Sequence, residues 1–160
     1  MAKLRMVMNT STTDFAKMQK TAIGFGKQYG TPVPDVLKSM VIFAQQGLTQ
    51  EEIIDRTRTA TIAANVTTLN AKDATEALTA AMVVFREEGD RSLRFLDAWS
   101  EVEAKHAIEA AHMANAIKKS AAAAKVAGFD FDQLNGIVAA IGATTRQSGN
   151  EIGTSMRSIS

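Results

Sequence analysis

The sequence predicts an all-α protein, a multi-helix bundle of about seven helices arranged as antiparallel hairpins, with no sheet. Three observations lead to this prediction. The chain of 160 residues holds 27 alanines and only two prolines, and alanine is the strongest helix former. Apolar residues recur at three- and four-residue spacing, and no convincing alternating strand pattern occurs. Residues that begin or end helices stand between these periodic stretches.

Glycine and proline set the first two helices. The first runs from Phe15 to Gln28 and stops at Gly30, because glycine readily takes the left-handed conformation at a helix end. The second begins near Pro32–Pro34, since proline is tolerated in the first turn of a helix. It stops at Gly47.

Capping residues set the next two helices. Thr49 with Glu52 forms the pattern of a capping box, in which the two side chains bond each other's backbone N–H groups. Asp73 with Glu76 gives the same kind of signal for a fourth helix. This helix is predicted to end at Gly89.

An alanine-rich helical region over residues 91–127 follows, either as one helix or as two helices separated by one break. Its second part places small and apolar residues on one face: Ala110, Met113, Ala114, Ile117, Ala121 and Ala124. Gly128 ends this region, and Asp130 with Gln133 caps the next helix. A last short helix completes the chain.

Two segments repeat each other. The string MVIFAQQG (40–47) matches MVVFREEG (82–89) at a spacing of 42 residues. Because helical solenoids usually need at least three copies, we interpret the match as duplicated hairpins and not as a solenoid. No linker or low-complexity segment divides the chain, so residues 1–160 are predicted to form one all-helical domain.

Composition excludes several functions. Lys and Arg number 18 against 17 Asp and Glu, a net charge of +1, so no overall field indicates nucleic-acid specificity. There is no cysteine, which excludes disulfides and thiolate metal sites. The longest uncharged runs, 59–71 and 133–145, each hold 13 residues, and a membrane-spanning helix needs about 20.

Charge is nevertheless uneven along the chain. Residues 1–40 carry six positive and two negative side chains. This bias fits either a basic arm for a polyanion or an ordinary solvated surface. Lys17, Lys20 and Lys27 fit one exposed helix face, which favours the solvated surface.

Two Glu-x-x-His pairs suggest a metal site: Glu103 with His106, and Glu109 with His112. Di-iron proteins of the ferritin type use this unit, but they place the pairs on different helices that face each other. On one continuous helix the two histidines would point about 120° apart and could not share a metal. We therefore predict no metal site and two surface histidines.

The stretch GATTRQSGNEIG (142–153) resembles a phosphate cradle or the turn of a nucleophile. It lacks the lysine of a P-loop, and Glu151 would repel an anion. A helix–turn–helix corner explains more: Gly149 supplies a left-handed residue, and Ser148 or Asn150 caps the following helix. With Ser148 as the cap, Glu151 completes a capping box. We predict no catalytic residue and no cofactor.

The chain resembles the core region of phage tail tape measure proteins. The resemblance is carried by three strings: YGTPVPDVLKSMVIFAQQGLTQEEI (29–53), FLDAWSEVE (95–103) and KKSAAAAKVAGFDFDQLNGIVAAIGATTRQSGNEIGTSMRSI (118–159). It covers residues 29–160, and residues 1–28, predicted as an N-terminal helix, match less clearly. Because family members are far longer, the resemblance implies a fragment of a longer protein or a truncated prophage gene.

The resemblance implies a structural role in tail assembly and tail length determination, with no enzymatic activity. It places the protein in the virion tail, and in the host cytoplasm during assembly. Implied partners are the tube protein, tail assembly chaperones and tail-tip proteins; self-association is left open. The alternative is a helical-repeat adaptor for protein–protein interaction, whereas membrane insertion of a hairpin would need longer apolar faces. Recurrent helix stop signals favour a folded module over one continuous helix.

Overall fold

A computed structural model describes residues 1–8, 13–85, 92–105 and 108–159. Within these ranges the regular secondary structure is entirely α-helical, which confirms the predicted class. The helices are α1 (Ala2–Val7), α2 (Phe15–Tyr29), α3 (Val33–Ala44), α4 (Gln50–Val66), α5 (Ala71–Phe85), α6 (Ser92–Lys105), α7 (Ala110–Val126), α8 (Phe131–Thr145) and α9 (Gly149–Ile159). The described residues thus contain two more helices than the seven expected, because the region 91–127 is divided and α1 precedes the first predicted helix.

Most predicted helix ends are confirmed. Three glycines that follow α2, α3 and α7 have positive φ angles: Gly30 (65°), Gly47 (75°) and Gly128 (89°). Capping boxes begin α4, with Thr49 and Glu52, and α8, with Asp130 and Gln133. The Thr49 backbone N–H donates to Glu52 Oε2 at 2.8 Å. Local sequence therefore fixes these ends.

The predicted start of the fourth helix is wrong. Helix α5 begins at Ala71, and the Asn70 side chain accepts a hydrogen bond from the Asp73 backbone N–H at 2.9 Å. Asn70 is thus the cap, and Asp73 takes the third position of the helix. Glu76, expected to complete the cap, instead pairs with a lysine of α7. The predicted end at Gly89 lies outside the described residues.

The helices alternate between two layers. The extensive contacts all join helices that are one or two places apart along the chain. Helices α1, α3, α5, α7 and α9 form one layer, the odd layer, and α2, α4, α6 and α8 form the other, the even layer. Successive helices are antiparallel and form hairpins, as predicted. Each helix also packs against the helix two places along the chain, which belongs to the next hairpin and lies in the same layer.

Neighbours within a layer run parallel and repeat regularly. Helices α3, α5, α7 and α9 begin at residues 33, 71, 110 and 149, which are 38 or 39 residues apart. Several side-chain hydrogen bonds between same-layer helices join residues 36 apart, such as Ser39 with Thr75 at 2.8 Å and Trp99 with Asn135 at 3.3 Å. Helices α7 and α8 therefore supply a third hairpin, although their sequence does not repeat the MVIF string.

The core is continuous across both layers and includes the only tryptophan. Trp99 is fully buried, and its indole N–H donates to Asn135 Oδ1. The Phe131 ring lies edge-on to Phe95, with centroids 4.1 Å apart, and edge-on to Phe85 at 5.7 Å. These aromatic contacts join α5, α6 and α8, so the even layer is fastened to the odd layer near the middle of the array.

A partly buried lysine links α5 to α7. The Lys118 side chain is 25% exposed, and its Nζ lies 2.8 Å from Glu76 Oε2 and 3.9 Å from Asp73 Oδ1. The hydrogen bond from Lys118 holds the pKa of Glu76 below its ordinary value, against the opposing effect of burial. The backbone and side-chain hydrogen bonds from Thr49 likewise lower the pKa of Glu52. Both carboxylates thus favour the folded state when they are ionised.

We expect the stability of the chain to fall as the pH drops below the ordinary glutamate value of about 4.3. The folded-state pKa of Glu76 lies below the unfolded one, so its contribution is present above about pH 4.3 and is lost as the pH falls toward the folded value. Urea unfolding between about pH 6 and pH 3 measures this loss. Glu76→Gln should flatten the profile, and Lys118→Met should flatten it similarly. A profile unchanged in both variants would contradict the assignment.

Candidate functional site

The corner between α8 and α9 is built around Arg146 and not around Gly149. Arg146 has a φ of 54° and is the one residue other than glycine with a positive φ in the described ranges. It ends α8, and its backbone N–H donates to the Gly142 carbonyl at 3.0 Å. The prediction that Gly149 supplies the left-handed residue is therefore wrong. Gly149 is instead the first residue of α9.

Ser148 caps α9, as one of the two sequence alternatives proposed. Its backbone N–H and its hydroxyl both donate to Glu151 Oε2 at 2.8 Å. In return, Ser148 Oγ accepts from the Glu151 backbone N–H at 3.3 Å. The bond from the Ser148 backbone, followed by that from its hydroxyl, lowers the pKa of Glu151. Both hydrogen-bonding functions of this hydroxyl are thus used within the cap.

Gly149 is required by packing. An added Cβ at this position would stand 1.9 Å from the backbone oxygen of His112 on α7. One turn later, a Cβ on Gly153 would stand 2.8 Å from the backbone oxygen of Ala116 and 2.8 Å from Lys119 Cβ. Two glycines spaced by four residues therefore let α9 lie directly on the α7 backbone. Of the α7 residues at this contact, Ala116 is one of the small ones.

The Glu-x-x-His pairs do not share one helix, so the angular argument made from the sequence rests on a wrong premise. Helix α6, which carries Glu103, ends at Lys105, and α7 begins at Ala110 with Glu109 as its N-terminal neighbour. His106 lies outside the described residues. Across the described ranges, no three His, Cys, Asp or Glu side chains come together as metal ligands would.

His112 lies closer to Ser148 than its sequence position suggests. Its backbone contacts Gly149, the residue after Ser148. Within the described part of the chain, the side-chain hydrogen bonds of Ser148 go to Glu151, and none joins Ser148 to His112. A general base on the hydroxyl is what nucleophilic catalysis by serine requires. The described hydrogen bonds of Ser148 therefore stabilise the corner between α8 and α9.

Another feature, which the sequence did not reveal, is a groove across α1, α3 and α5. It encloses about 810 Å³ and is lined by Met1–Lys3, by one face of α3 from Pro34 to Ile42, and by Asn70–Lys72. No helix in the described ranges has the length and apolarity needed to cross a membrane.

Substituting Gly149 tests the packing of α9. Gly149→Ala should destabilise the fold by about 2 kcal/mol or more, because backbone atoms of α7 must move to admit the methyl group. Gly136→Ala is the matched control, since a Cβ at this exposed position of α8 meets nothing within 4 Å. It should stabilise by about 0.5–1 kcal/mol. Chemical denaturation measures both, and equal effects would contradict the close approach.

Substituting Arg146 tests the left-handed corner. A residue with a Cβ loses about 1–2 kcal/mol in this conformation, whereas glycine costs about 0.5–1 kcal/mol in unfolded-state entropy. Arg146→Gly should therefore stabilise the fold by about 0.5–1 kcal/mol in a thermal or urea melt. Arg157→Gly, within α9, should instead destabilise by about 1 kcal/mol. Loss of stability in both variants would mean that the Arg146 side chain contributes more than its backbone costs.

Comparisons with known proteins give a family for this chain. No solved structure matches the chain. A family model described as phage-related minor tail protein matches residues 19–160, a range that begins within α2 and includes α3 to α9 with the whole α8–α9 corner. The match covers well over half of the chain. The protein therefore belongs to the family of phage-related minor tail proteins.

Proposed function

We propose that the chain is a segment of a tail tape measure protein, acting in tail assembly and tail length determination. Family membership gives the coarser statement, a structural role in a phage tail. The observation that carries the finer proposal is the array itself. A chain of hairpins that repeat every 38 or 39 residues in the odd layer adds the same increment with each unit, which is what a molecular ruler requires.

The proposal includes no catalytic role. Support comes from Ser148, whose hydroxyl is engaged on both sides by Glu151, and from the Gly149 contact, in which backbone packs on backbone. These contacts account for the stretch 142–153, whose sequence resembles a phosphate cradle or the turn of a nucleophile. The proposed partners are the tube protein, assembly chaperones and tail-tip proteins, and the proposed places are the virion tail and, during assembly, the host cytoplasm.

The folded array and an extended helix would contribute very different lengths. Neighbouring helices in a layer lie about 10 Å apart, so each added hairpin lengthens a folded array by about that distance. The same 39 residues, for example 71–109, would span about 58 Å as one continuous helix. The length added per repeat therefore reports the state of the segment in the tail.

The test is to insert three further copies of residues 71–109 in frame into the gene of the phage and to measure tails by electron microscopy. We expect uniform tails lengthened by about 30 Å, because each copy can pack as one more hairpin. Lengthening by about 175 Å would mean that the segment lies extended. The reciprocal deletion of 71–109 is the control, and it should shorten tails by about 10 Å if assembly survives.

Tails that assemble normally with unchanged length would contradict a role in length determination. That outcome would favour the second candidate function, a helical-repeat adaptor that binds other tail proteins. The groove across α1, α3 and α5 is the observation that keeps this candidate in view, since helical arrays commonly bind partners along their surfaces.

A further inference from the structure

The buried hydrogen bond between Trp99 and Asn135 depends on how α6 and α8 are aligned. Another buried pair, Ser39 with Thr75, is different. Each of those two hydroxyls also donates to a backbone carbonyl of its own helix, so both are satisfied in any alignment of α3 and α5. Among the described residues, the indole N–H of Trp99 bonds Asn135 Oδ1, and Asn135 Nδ2 meets no protein acceptor. Neither side chain therefore has a partner within its own helix.

Helices α8 and α9 keep a fixed position relative to each other. The corner that joins them is short, and the Arg146 N–H bond to the Gly142 carbonyl and the cap between Ser148 and Glu151 hold it. Helix α8 packs on α6 in the even layer, and α9 packs on α7 in the odd layer. The position of the α8–α9 hairpin along α6 and α7 is therefore set by contacts in both layers together.

The odd-layer contacts alone do not fix this position. Gly149 lies on the backbone of His112. One turn later, Gly153 lies on the backbone of Ala116. If α9 were displaced by four residues toward the C-terminal end of α7, Gly149 would lie on Ala116, since residues four apart share a helix face. Gly153 would then lie on Ser120. Alanine and serine have small side chains, so close contacts with both glycines could form again one turn along.

The polar pair in the even layer opposes the same displacement. Helix α8 is parallel to α6, so its residues would move by four toward the N-terminal end of α6. The Trp99 N–H would then face Ala139, whose side chain offers no acceptor. Asn135 would lie at the level of Phe95, which is fully buried. Because a buried polar group without a partner loses its hydration for no gain, this register is disfavoured by about tenfold or more.

We propose that the hydrogen bond between Trp99 and Asn135 is a register lock, which selects one of two positions of the α8–α9 hairpin that differ by one helical turn. The ion pair of Arg94 with Asp132 also joins α6 to α8, but its side chains are 44% and 60% exposed, so it selects only weakly. Proteins use one-turn displacements of packed helices to pass between two states. The proposal does not depend on a role in length determination.

Two spin labels measure the register in the full chain. The chain has no cysteine, so Asp97→Cys on α6 and Thr144→Cys on α8, both at exposed positions, place one label on each helix. Double electron–electron resonance gives the distribution of distances between the labels. We expect one distance in this labelled parent chain. In the displaced register the distance is shorter by about 4–5 Å, because one turn rises about 5.4 Å along the axis.

Two variants remove the lock from its two sides. In Asn135→Leu the indole N–H has no side-chain acceptor in either register, so the bond no longer discriminates. A second, shorter distance should appear in about a tenth of the molecules or more. Trp99→Phe removes the donor and should give the same second distance. Ser120→Ala is the matched control, because this buried hydroxyl bonds the Ala116 carbonyl within α7. It should leave one distance.

The outcomes decide between selection and simple packing, and circular dichroism checks that each variant keeps its helices. A single, unchanged distance in both Asn135→Leu and Trp99→Phe would overturn the proposal, because packing alone would then fix the register. Two distances in the parent chain or in Ser120→Ala, or a second distance longer than the first, would overturn it as well. Loss of the helical signal in both lock variants would mean that the pair is needed for folding and not for selection, which also contradicts the proposal.

Discussion

Close packing of helix backbones within the odd layer is the constraint on which the array depends. Gly149 and Gly153 bring α9 onto the backbone of α7 at His112 and Ala116. Small residues bury little apolar area each, at about 25 cal/mol per Å², so this packing gains stability from many short contacts and not from large side chains. The two contacts advance by four residues on both helices, from His112 to Ala116 and from Gly149 to Gly153, so α7 and α9 run parallel.

The large side chains lie at the junction between the layers. Trp99, Phe95 and Phe131 are buried between α6, α8 and α5. The indole N–H of Trp99 donates to Asn135 Oδ1 there. The array therefore combines two alanine-rich helices of the odd layer, α5 and α7, with aromatic contacts that join the odd layer to the even layer. The Lys118 contacts with Glu76 and Asp73 add a link between two odd-layer helices at their exposed edge.

The sequence predicts what local chemistry determines. The capping boxes at Thr49 and Asp130 involve residues three apart, so their pattern is visible without knowledge of the fold. The start of the fourth helix was mispredicted because Asn70 and Asp73 can both cap, and Glu76, which would complete a cap at Asp73, pairs instead with Lys118 of the neighbouring odd-layer helix α7. Where two neighbouring residues could each cap a helix, contacts with other helices determine which of them does.

The α8–α9 corner shows the same limit more clearly. A glycine usually marks a left-handed turn, and Gly149 was assigned that role. The fold uses this glycine for the contact with His112, and the left-handed position falls on Arg146. The groove on α3 could not be predicted either, because it arises from the short α1 and the register of the odd layer. Family membership, in contrast, follows from residues spread over almost the whole chain.

Neighbour-only contacts also determine how such an array comes apart. Each helix is held by those one or two places away, so pulling on one end removes hairpins in order and leaves the remainder intact. The first and last described helices are held differently: α9 packs on the α7 backbone, whereas α1 has only six residues with which to pack on α3. Under tension the protein thus unravels with a polarity, from α1 toward α9.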